Sequence, residues 1–195
     1  MRWLLRILVV LAVVAAVVVL GLAIFGVREG AGRSSAAVEI NRPASQVFHH
    51  ITDDQLVKRW VAGLIGLTHI PQAGLKVRDR LTAVIVEDDR RIEVQLIVTA
   101  VEPNRHLKFT VNSSGDPTLG FRGECEGVLT ETDGHTRLSL SAEMQYFGIF
   151  TRVIEPFKTI AVQKKLEADL ARLKEQVEAE PPPVMPAARS AAAEH

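Results

Sequence analysis

The sequence predicts an α+β fold, in which an antiparallel sheet of about six to seven strands packs against one long C-terminal helix. The apolar residues alternate in successive short segments up to Tyr146, and after it they recur at three- and four-residue spacing. Strands joined by short turns must pair antiparallel, because a parallel pair needs a long crossover connection. A third observation, an uncharged apolar run near the N-terminus, adds one predicted transmembrane helix.

That apolar run is long enough to span a bilayer. Residues 7–25 contain no charged or polar side chain, and the stretch from Trp3 to Val27, at about 1.5 Å per residue, can cross a hydrocarbon core of ~30 Å. A cleaved signal peptide is the alternative, but its apolar core normally has only about 7–15 residues. We therefore expect a short segment over 1–6, an uncleaved membrane helix over 7–27 and contact between that helix and a lipid bilayer.

The basic residues that flank the predicted helix bear on its orientation. Arg2 and Arg6 precede it, and Arg28 and Arg33 follow it, so the two sides nearly tie under the positive-inside rule. Short N-terminal tails commonly stay in the cytoplasm. We therefore expect a single-pass membrane protein with a cytoplasmic N-terminus and an extracytoplasmic domain.

Composition divides the rest of the chain into a tether, a domain and a tail. The small polar residues 28–35 predict a flexible tether, and residues 36–178 are expected to form one folded domain. Residues 179–195 are rich in proline and alanine and lack apolar periodicity, which predicts a disordered tail. The 23 basic and 23 acidic residues cancel, which gives no support to nucleic-acid binding.

The domain opens with a predicted strand over 36–41 and two short helices. Pro43 suits the first turn of a helix over 44–50, because proline at that position loses no helical hydrogen bond. The pair Thr52-Asp53 is a natural N-cap for a second short helix that ends near Trp60.

Six further strands are predicted from alternating apolar residues between turn residues. They cover residues 64–70, 79–87, 91–102, 106–112, 118–131 and 136–146. Ile92, Val94 and Leu96 share one face of their strand, and polar residues occupy most of the other. This alternation predicts a sheet with one dry and one wet face.

The C-terminal segment carries an apolar stripe from Phe150 to Val177 at helical spacing. Pro156 would interrupt a helix interior, so the sequence predicts a short turn over 149–154 and a long helix that starts at Pro156. The stripe must be buried, and the dry face of the sheet is the surface available to bury it.

Three segments of the domain resemble a known superfamily. Residues 38–60 read VEINRPASQVFHHITDDQLVKRW and are similar to the opening of the SRPBCC (START-like) superfamily, in particular its polyketide cyclase/dehydrase-like branch. Residues 133–144 (DGHTRLSLSAEM) resemble its last hairpin, and residues 157–178 (FKTIAVQKKLEADLARLKEQVE) resemble its long terminal helix. The resemblance implies the helix-grip fold, a curved antiparallel sheet wrapped around the C-terminal helix with an apolar cavity between them. It implies no particular reaction.

The strand over 118–131 gives independent support to a cavity. Gly123, Cys125 and Gly127 alternate on its dry face, and such small residues leave space that larger side chains would fill. The alternative is that the glycines let the sheet bend or let the long helix approach closely. Cys125 is the only cysteine, and no base is identifiable near it, so a small core residue is the expected role.

The candidate cavity residues share a predicted position on the dry face, on the helix stripe or at the entrance. They are Trp60, His69, Leu96, Phe109, Gly123, Cys125, Gly127, Phe157, Ile160 and Gln163. Trp60 occupies the aromatic position of the resembled family and is expected to close one wall of the entrance. His69 and Gln163 would be polar tips within the pocket, or alternatively satisfied core or rim residues.

No motif in the chain indicates catalysis, so the catalytic residues are unknown and an enzyme is the less favoured prediction. His49 and His50 point about 100° apart on a helix, which makes a poor chelate, and we expect neither a metal nor another cofactor. Glu124 and Glu126 fit a wet strand face better than an acid/base pair.

Three functions follow from these patterns. The first is a membrane-anchored binding protein whose apolar cavity holds a lipid-like or polyketide-like small molecule. The second is a cyclase/dehydrase-like enzyme of the same fold, and the third is an interaction domain for another membrane protein, whose identity the sequence does not indicate.

Overall fold

A computed structural model describes residues 32–68, 70, 73–87, 89–114, 120–146 and 149–181, without the side chains of 114 and 149–158. The predicted segments 1–6 and 7–27 and most of the predicted tail lie outside these residues. The described elements, in chain order, are β1 (Gly32–Ile40), α1 (Ala44–Thr52), α2 (Asp54–Trp60), β2 (Leu64–Leu67), β3 (Arg80–Glu87), β4 (Arg90–Glu102), β5 (His106–Ser114), β6 (Phe121–Thr132), β7 (His135–Tyr146) and α3 (Ile149–Ala179). None of these helices is both long and apolar enough to cross a membrane.

The described strands form one antiparallel sheet in the order β1-β7-β6-β5-β4-β3-β2. This confirms the predicted antiparallel arrangement. Short hairpins connect most neighbours, and the β6–β7 hairpin turns at Asp133 and Gly134, whose φ angles of 52° and 76° are both positive. Asp-Gly is a favoured pair for such a turn, because its left-handed backbone costs these residues little.

Strand β1 is longer than the sequence indicates. It starts at Gly32, so residues 32–35, expected in the tether, pair with the end of β7, from Gly32 opposite Met144 onward. Arg33 extends this pairing through an ion pair with Glu143, with 2.6 Å between the guanidinium and the carboxylate. Backbone pairing needs no apolar side chain, and for this reason the polar composition concealed the strand.

The two short helices match their predictions. Helix α1 begins directly after Pro43, and Asp53 caps α2. The Asp53 carboxylate accepts hydrogen bonds from the backbone N–H groups of Gln55 (2.9 Å) and Leu56 (3.0 Å), which satisfies two donors that the helix itself leaves unpaired.

Helix α3 differs from the prediction, because it runs unbroken from Ile149 through Pro156 to Ala179. Proline removes only its own N–H, so the helix loses one hydrogen bond there and keeps those on either side. The helix lies chiefly along β1, and it also contacts β7, α1 and α2.

Two apolar clusters lie on the inner side of the sheet. The first is tightly closed and contains Ile40, Ala44, Val47, Trp60, Leu129, Leu138, Leu170, Leu173 and Val177. Leu170, Leu173 and Val177 are at most 2% exposed, so this half of the predicted stripe is buried as expected. The second cluster is centred on Leu64, Ala83, Val94 and Val111.

Candidate functional site

The strand register aligns apolar residues in rows across the inner face of the sheet, the face that the helices cover. One row is Leu81, Leu96, Val111, Gly123 and Met144, and the next is Val98, Phe109, Cys125 and Ala142. The predicted lining residues Leu96, Phe109, Gly123 and Cys125 therefore lie together. Side chains alternate between the two faces of a strand, and the register places all four of these residues on the inner face.

Part of this inner face is incompletely covered. Leu96, Phe109, Phe121 and Met144 are only partly buried and pack against the second cluster, whereas residues of the first cluster such as Leu138 are fully buried. Among the described residues, α3 contacts β1, β7, α1 and α2 and makes no comparable contact with the central strands β3 to β6. We call this partly buried apolar surface, formed by the inner faces of β3 to β7 around these four residues, the inner hollow.

The glycines of β6 do not leave the empty space that their small size suggested. A Cβ at Gly123 would collide with the Glu143 carbonyl oxygen and the Met144 sulfur, and a Cβ at Gly127 would lie 3.1 Å from Leu140 Cδ2. Side chains of the neighbouring strand β7 therefore occupy the space above both glycines. The alternative of close approach holds, but the approaching element is β7 rather than α3.

Cys125 lies in the middle of the inner face and is not poised to react. Burial raises the pKa of its thiol to about 12, because a thiolate would lose its hydration there. The thiol is therefore protonated at neutral pH, and Cys125 acts as a small core residue, as expected from the sequence.

Trp60 is a core residue rather than an entrance residue. Its side chain is 7% exposed and belongs to the first cluster, and its indole Nε1 donates to the His50 carbonyl oxygen at 3.2 Å. The end of α2 is thereby fixed against α1. The sequence correctly predicted that the indole N–H needs a partner. The position of Trp60 in the core depends on how α1, α2 and α3 pack together, which the sequence did not show.

Gln163 and Ile160 lie beside the edge strand β1. The Gln163 amide accepts from the Ser35 N–H (2.9 Å) and donates to the Ser35 carbonyl (2.8 Å), so it acts as a short extension of the sheet. Ile160 is 57% exposed. Both were expected inside a cavity, and both lie outside the inner hollow because α3 follows β1. His69 and the side chain of Phe157 lie outside the described residues.

Two polar contacts of α3 carry no obvious signal in the sequence. Lys174 Nζ donates to the Glu39 carbonyl at 2.5 Å, and the Asn41 N–H donates to Glu178 at 2.8 Å. The hydrogen bond from Asn41 lowers the pKa of Glu178. Together with Gln163, these residues satisfy backbone groups along the open edge of the sheet.

Asp169 joins α3 to the loop after α2. Its carboxylate is 4% exposed and accepts from the Ala62 N–H at 3.1 Å, from Lys165 at 3.0 Å and from Arg172. The spacing of three and four residues between these charges on one helix is the only signal that could have indicated this cluster. Its role is to hold the helix against the domain.

Several titratable residues of the sheet lie on its outer face. Lys108 pairs with Glu124, and His106 pairs with Glu126, each at 2.8 Å. The two glutamates therefore occupy a wet face, as predicted. In the part of the chain that the structure describes, no group of three His, Cys, Asp or Glu residues could hold a metal ion.

His49 and His50 separate as the helical geometry requires. His50 is 1% exposed, with Nδ1 placed 2.9 Å from the Gln46 carbonyl and Nε2 placed 3.2 Å from Glu180, while His49 meets solvent. One ring packs and the other is solvated, as expected for adjacent helical positions.

Two open grooves, of about 550 and 310 Å³, flank β1. The larger one lies between β1 and α3 and is lined in part by Glu167, Lys174 and Glu175, and the smaller one includes Glu126. The charged residues of the larger groove, and the three serines and one glutamate of the smaller one, suit a hydrophobic molecule less well than the apolar inner hollow does.

Residues 31–178 match the family described as "Polyketide cyclase / dehydrase and lipid transport". The chain belongs to this family. In this polyketide cyclase/dehydrase-type domain, the curled antiparallel sheet and the long C-terminal helix form the helix-grip fold that the resemblance implied.

Solved structures share the fold of this family member at low sequence identity. A conserved protein from Geobacillus kaustophilus has a TM-score of 0.62 and 16% identity, over 74% of this chain and 94% of that one. A protein from Thermus thermophilus has a TM-score of 0.56 and 20% identity, over 74% and 96%. DynU16, a putative protein in the dynemicin biosynthetic locus, has a TM-score of 0.55 and 16% identity, over 76% of this chain and 48% of that one. No curated protein matches the chain significantly.

Proposed function

We propose that this protein binds a lipid-like or polyketide-like small molecule in the inner hollow and that residues 7–27 anchor the domain in a membrane. The observation that carries the proposal is the partial burial of Leu96, Phe109, Phe121 and Met144 on a mainly apolar inner face. When a hydrophobic ligand covers apolar side chains that are in contact with water, the complex is stabilised by roughly 25 cal/mol for each Å² of apolar surface removed from water.

The chemistry of the inner hollow favours binding over catalysis. The Cys125 thiol is held protonated, and the Ser113 hydroxyl is engaged by the backbone of Phe121, from whose N–H it accepts at 2.9 Å. A cyclase or dehydrase needs polar groups that are free to act on the substrate. The described side chains favour a carrier or receptor, which needs only an apolar surface.

The anchor is supported by the sequence. The apolar run over 7–25 ends a few residues before Gly32, the first residue of β1. A domain joined so closely to a membrane helix would stay near the bilayer, where hydrophobic molecules are concentrated.

A co-purification experiment tests the binding proposal. The full chain is purified in mild detergent, extracted with organic solvent and analysed by mass spectrometry, and we expect a hydrophobic molecule in stoichiometric amount. Leu96→Phe fills the inner hollow and should reduce the bound amount. Ile97→Phe makes a similar change on the outer face of the same strand and should leave it unchanged. Equal binding by both variants, or no extracted molecule from the unaltered chain, would contradict the proposal.

A further inference from the structure

The strand register defines one end of the sheet, which we call the tether end. It contains Gly32 at the start of β1, Phe121 at the start of β6 and Tyr146 at the end of β7; Gly32 is paired with Met144, and Phe121 with Tyr146. The opposite end contains Ile40 and the β6–β7 hairpin. The chain therefore enters the domain from residues 1–31 at the tether end.

The two apolar clusters are distributed unequally between these ends. The closed first cluster includes Ile40 and Leu138 and lies toward the far end. Phe121 and Met144, which are only partly buried, lie at the tether end. Partly buried apolar side chains of the inner hollow therefore lie at the end of the sheet where the chain enters.

The start of helix α3 also lies at the tether end. It follows β1, with Thr159 beside Ser34 (Ser34 Oγ donates to the Thr159 carbonyl, 3.1 Å) and Glu178 beside Asn41. Ten residues of α3 precede Thr159, a length of about 15 Å, whereas the two residues of β1 before Ser34 cover only about 7 Å. The first turns of α3 thus reach beyond the start of β1, on the side away from the closed cluster.

The sequence of α3 near the tether end has the composition of a membrane-contacting helix. Ile160 exposes 57% of its surface one residue after Thr159. Residues 149–164 contain three basic residues and one acidic residue, together with apolar residues of the sequence stripe. Apolar residues combined with an excess of lysine and arginine suit an interface with anionic lipid.

We propose that the tether end rests on the bilayer, with the first half of α3 in the lipid interface, and that ligands pass between the membrane and the inner hollow there. This inference rests on the proposed anchor and ligand. Only residues 28–31 separate the predicted membrane helix from β1, a reach of at most about 18 Å from Val27 to Gly32. The far end of β1 lies about 26 Å further along the strand, so the anchor brings the tether end closest to the lipid.

Depth-dependent quenching tests the contact with the full chain in phosphatidylcholine/phosphatidylglycerol nanodiscs. A nitrobenzoxadiazole probe is attached at Ile160→Cys or, as a control, at Val128→Cys, an outer-face position on β6 that is 41% exposed. Cys125 is replaced by Ala in both variants, so that each carries a single thiol. We expect doxyl-labelled phosphatidylcholine to quench the probe at 160 and not at 128. Equal quenching at both positions, or none at 160, would overturn the proposal, and a protein partner would instead protect 160 only after it is added.

A transfer assay separates this proposal from the proposed function. Ile160→Asp should slow the transfer of cis-parinaric acid between the full chain and anionic vesicles by about tenfold, equivalent to about 1.4 kcal/mol, with the amount bound at equilibrium unchanged. Val128→Asp should change neither quantity. An unchanged rate in Ile160→Asp contradicts the membrane contact alone, whereas a lack of binding by the unaltered chain contradicts the binding function itself. Circular dichroism confirms that each variant is folded.

Discussion

Gly123 shows how much a single missing side chain can decide. Its Cα faces the backbone and the sulfur of the neighbouring strand so closely that no Cβ fits. The alternation of small residues in β6 was visible in the sequence, and it correctly placed Gly123 on the inner face. The sequence does not show whether a ligand or a neighbouring strand occupies the space beside this small residue. In the structure, Met144 of β7 occupies it.

Gly123→Ala should destabilise the domain by about 1–3 kcal/mol, because the added methyl group overlaps a backbone carbonyl that cannot move without breaking the sheet pairing. Gly127→Ala is the matched control, since its new Cβ meets only the end of the Leu140 side chain, which can rotate away. Urea unfolding followed by circular dichroism measures both. A loss in Gly127→Ala as large as that in Gly123→Ala would contradict the explanation.

Cys125 should make stability depend on alkaline pH. Its folded-state pKa is raised from 9.0 to about 12, so the folded protein holds the proton more tightly than the unfolded chain does. The stabilising contribution is therefore complete below pH 9 and is lost as the pH rises from 9 toward 12. The unaltered protein should lose more unfolding free energy between pH 9 and 11 than Cys125→Ala, which lacks the group. Parallel curves for the two proteins would show that the thiol is not protected.

At the scale of elements, helix α3 protects the open edge of β1. The side chain of Gln163 pairs with both backbone groups of Ser35, and Lys174 and Glu178 bind further backbone groups along the strand. An edge strand with unpaired N–H and C=O groups invites association with other chains. Helix side chains prevent this association here without a further strand.

Gln163→Leu should therefore weaken the start of β1 specifically. Two hydrogen bonds are lost, each worth about 1 kcal/mol, and the Ser35 amide is left without a partner in this edge. Hydrogen exchange should become at least tenfold faster at Ser35, while amides in β4 keep their protection. Lys164→Leu, at an exposed neighbouring position, should leave exchange at Ser35 unchanged. Equal protection of Ser35 in both variants would show that Gln163 has no such role.

The elements were predictable where local chemistry decided them. Asp53 as a helix cap and Asp133-Gly134 as a turn act within a few residues, so the sequence alone indicated both. The start of β1 and the continuity of α3 through Pro156 were not predictable. The start of β1 depends on β7, a partner far along the chain that supplies pairing for the polar residues 32–35, and α3 continues through Pro156 with the loss of one helical hydrogen bond.

At the scale of the whole molecule, the first and last strands in the chain are neighbours in space. Strand β1 pairs with β7 along its whole length, and α3 lies against β1. The domain is therefore closed by contacts between the two ends of the described chain. Truncation at the N-terminal end should affect the whole domain rather than one edge of it.

Two soluble fragments test where the domain begins. A fragment of residues 31–181 retains all of β1 and should unfold cooperatively. A fragment of residues 36–181, which starts at the boundary that the sequence suggested, lacks the pairs from Gly32 to Ser35 and the bonds of Ser34 and Ser35 to α3. We expect its thermal midpoint to be lower by several degrees, since about 1 kcal/mol shifts the midpoint by roughly 2–4 °C in a domain of this size. Equal midpoints would show that residues 32–35 contribute no stability.

The sequence by itself determined the order of the elements, the antiparallel sheet, its wet and dry faces and the family. These properties follow from periodicity and turn chemistry, which are written within short segments of chain. The tertiary structure alone decided which neighbour covers each apolar face. It placed α3 along β1, filled the space above Gly123 with Met144, and left Phe121 and Met144 partly buried at the end of the sheet that contains Gly32. Periodicity states that a face is apolar, but only the packed chain shows whether a helix, a neighbouring strand or a ligand covers it.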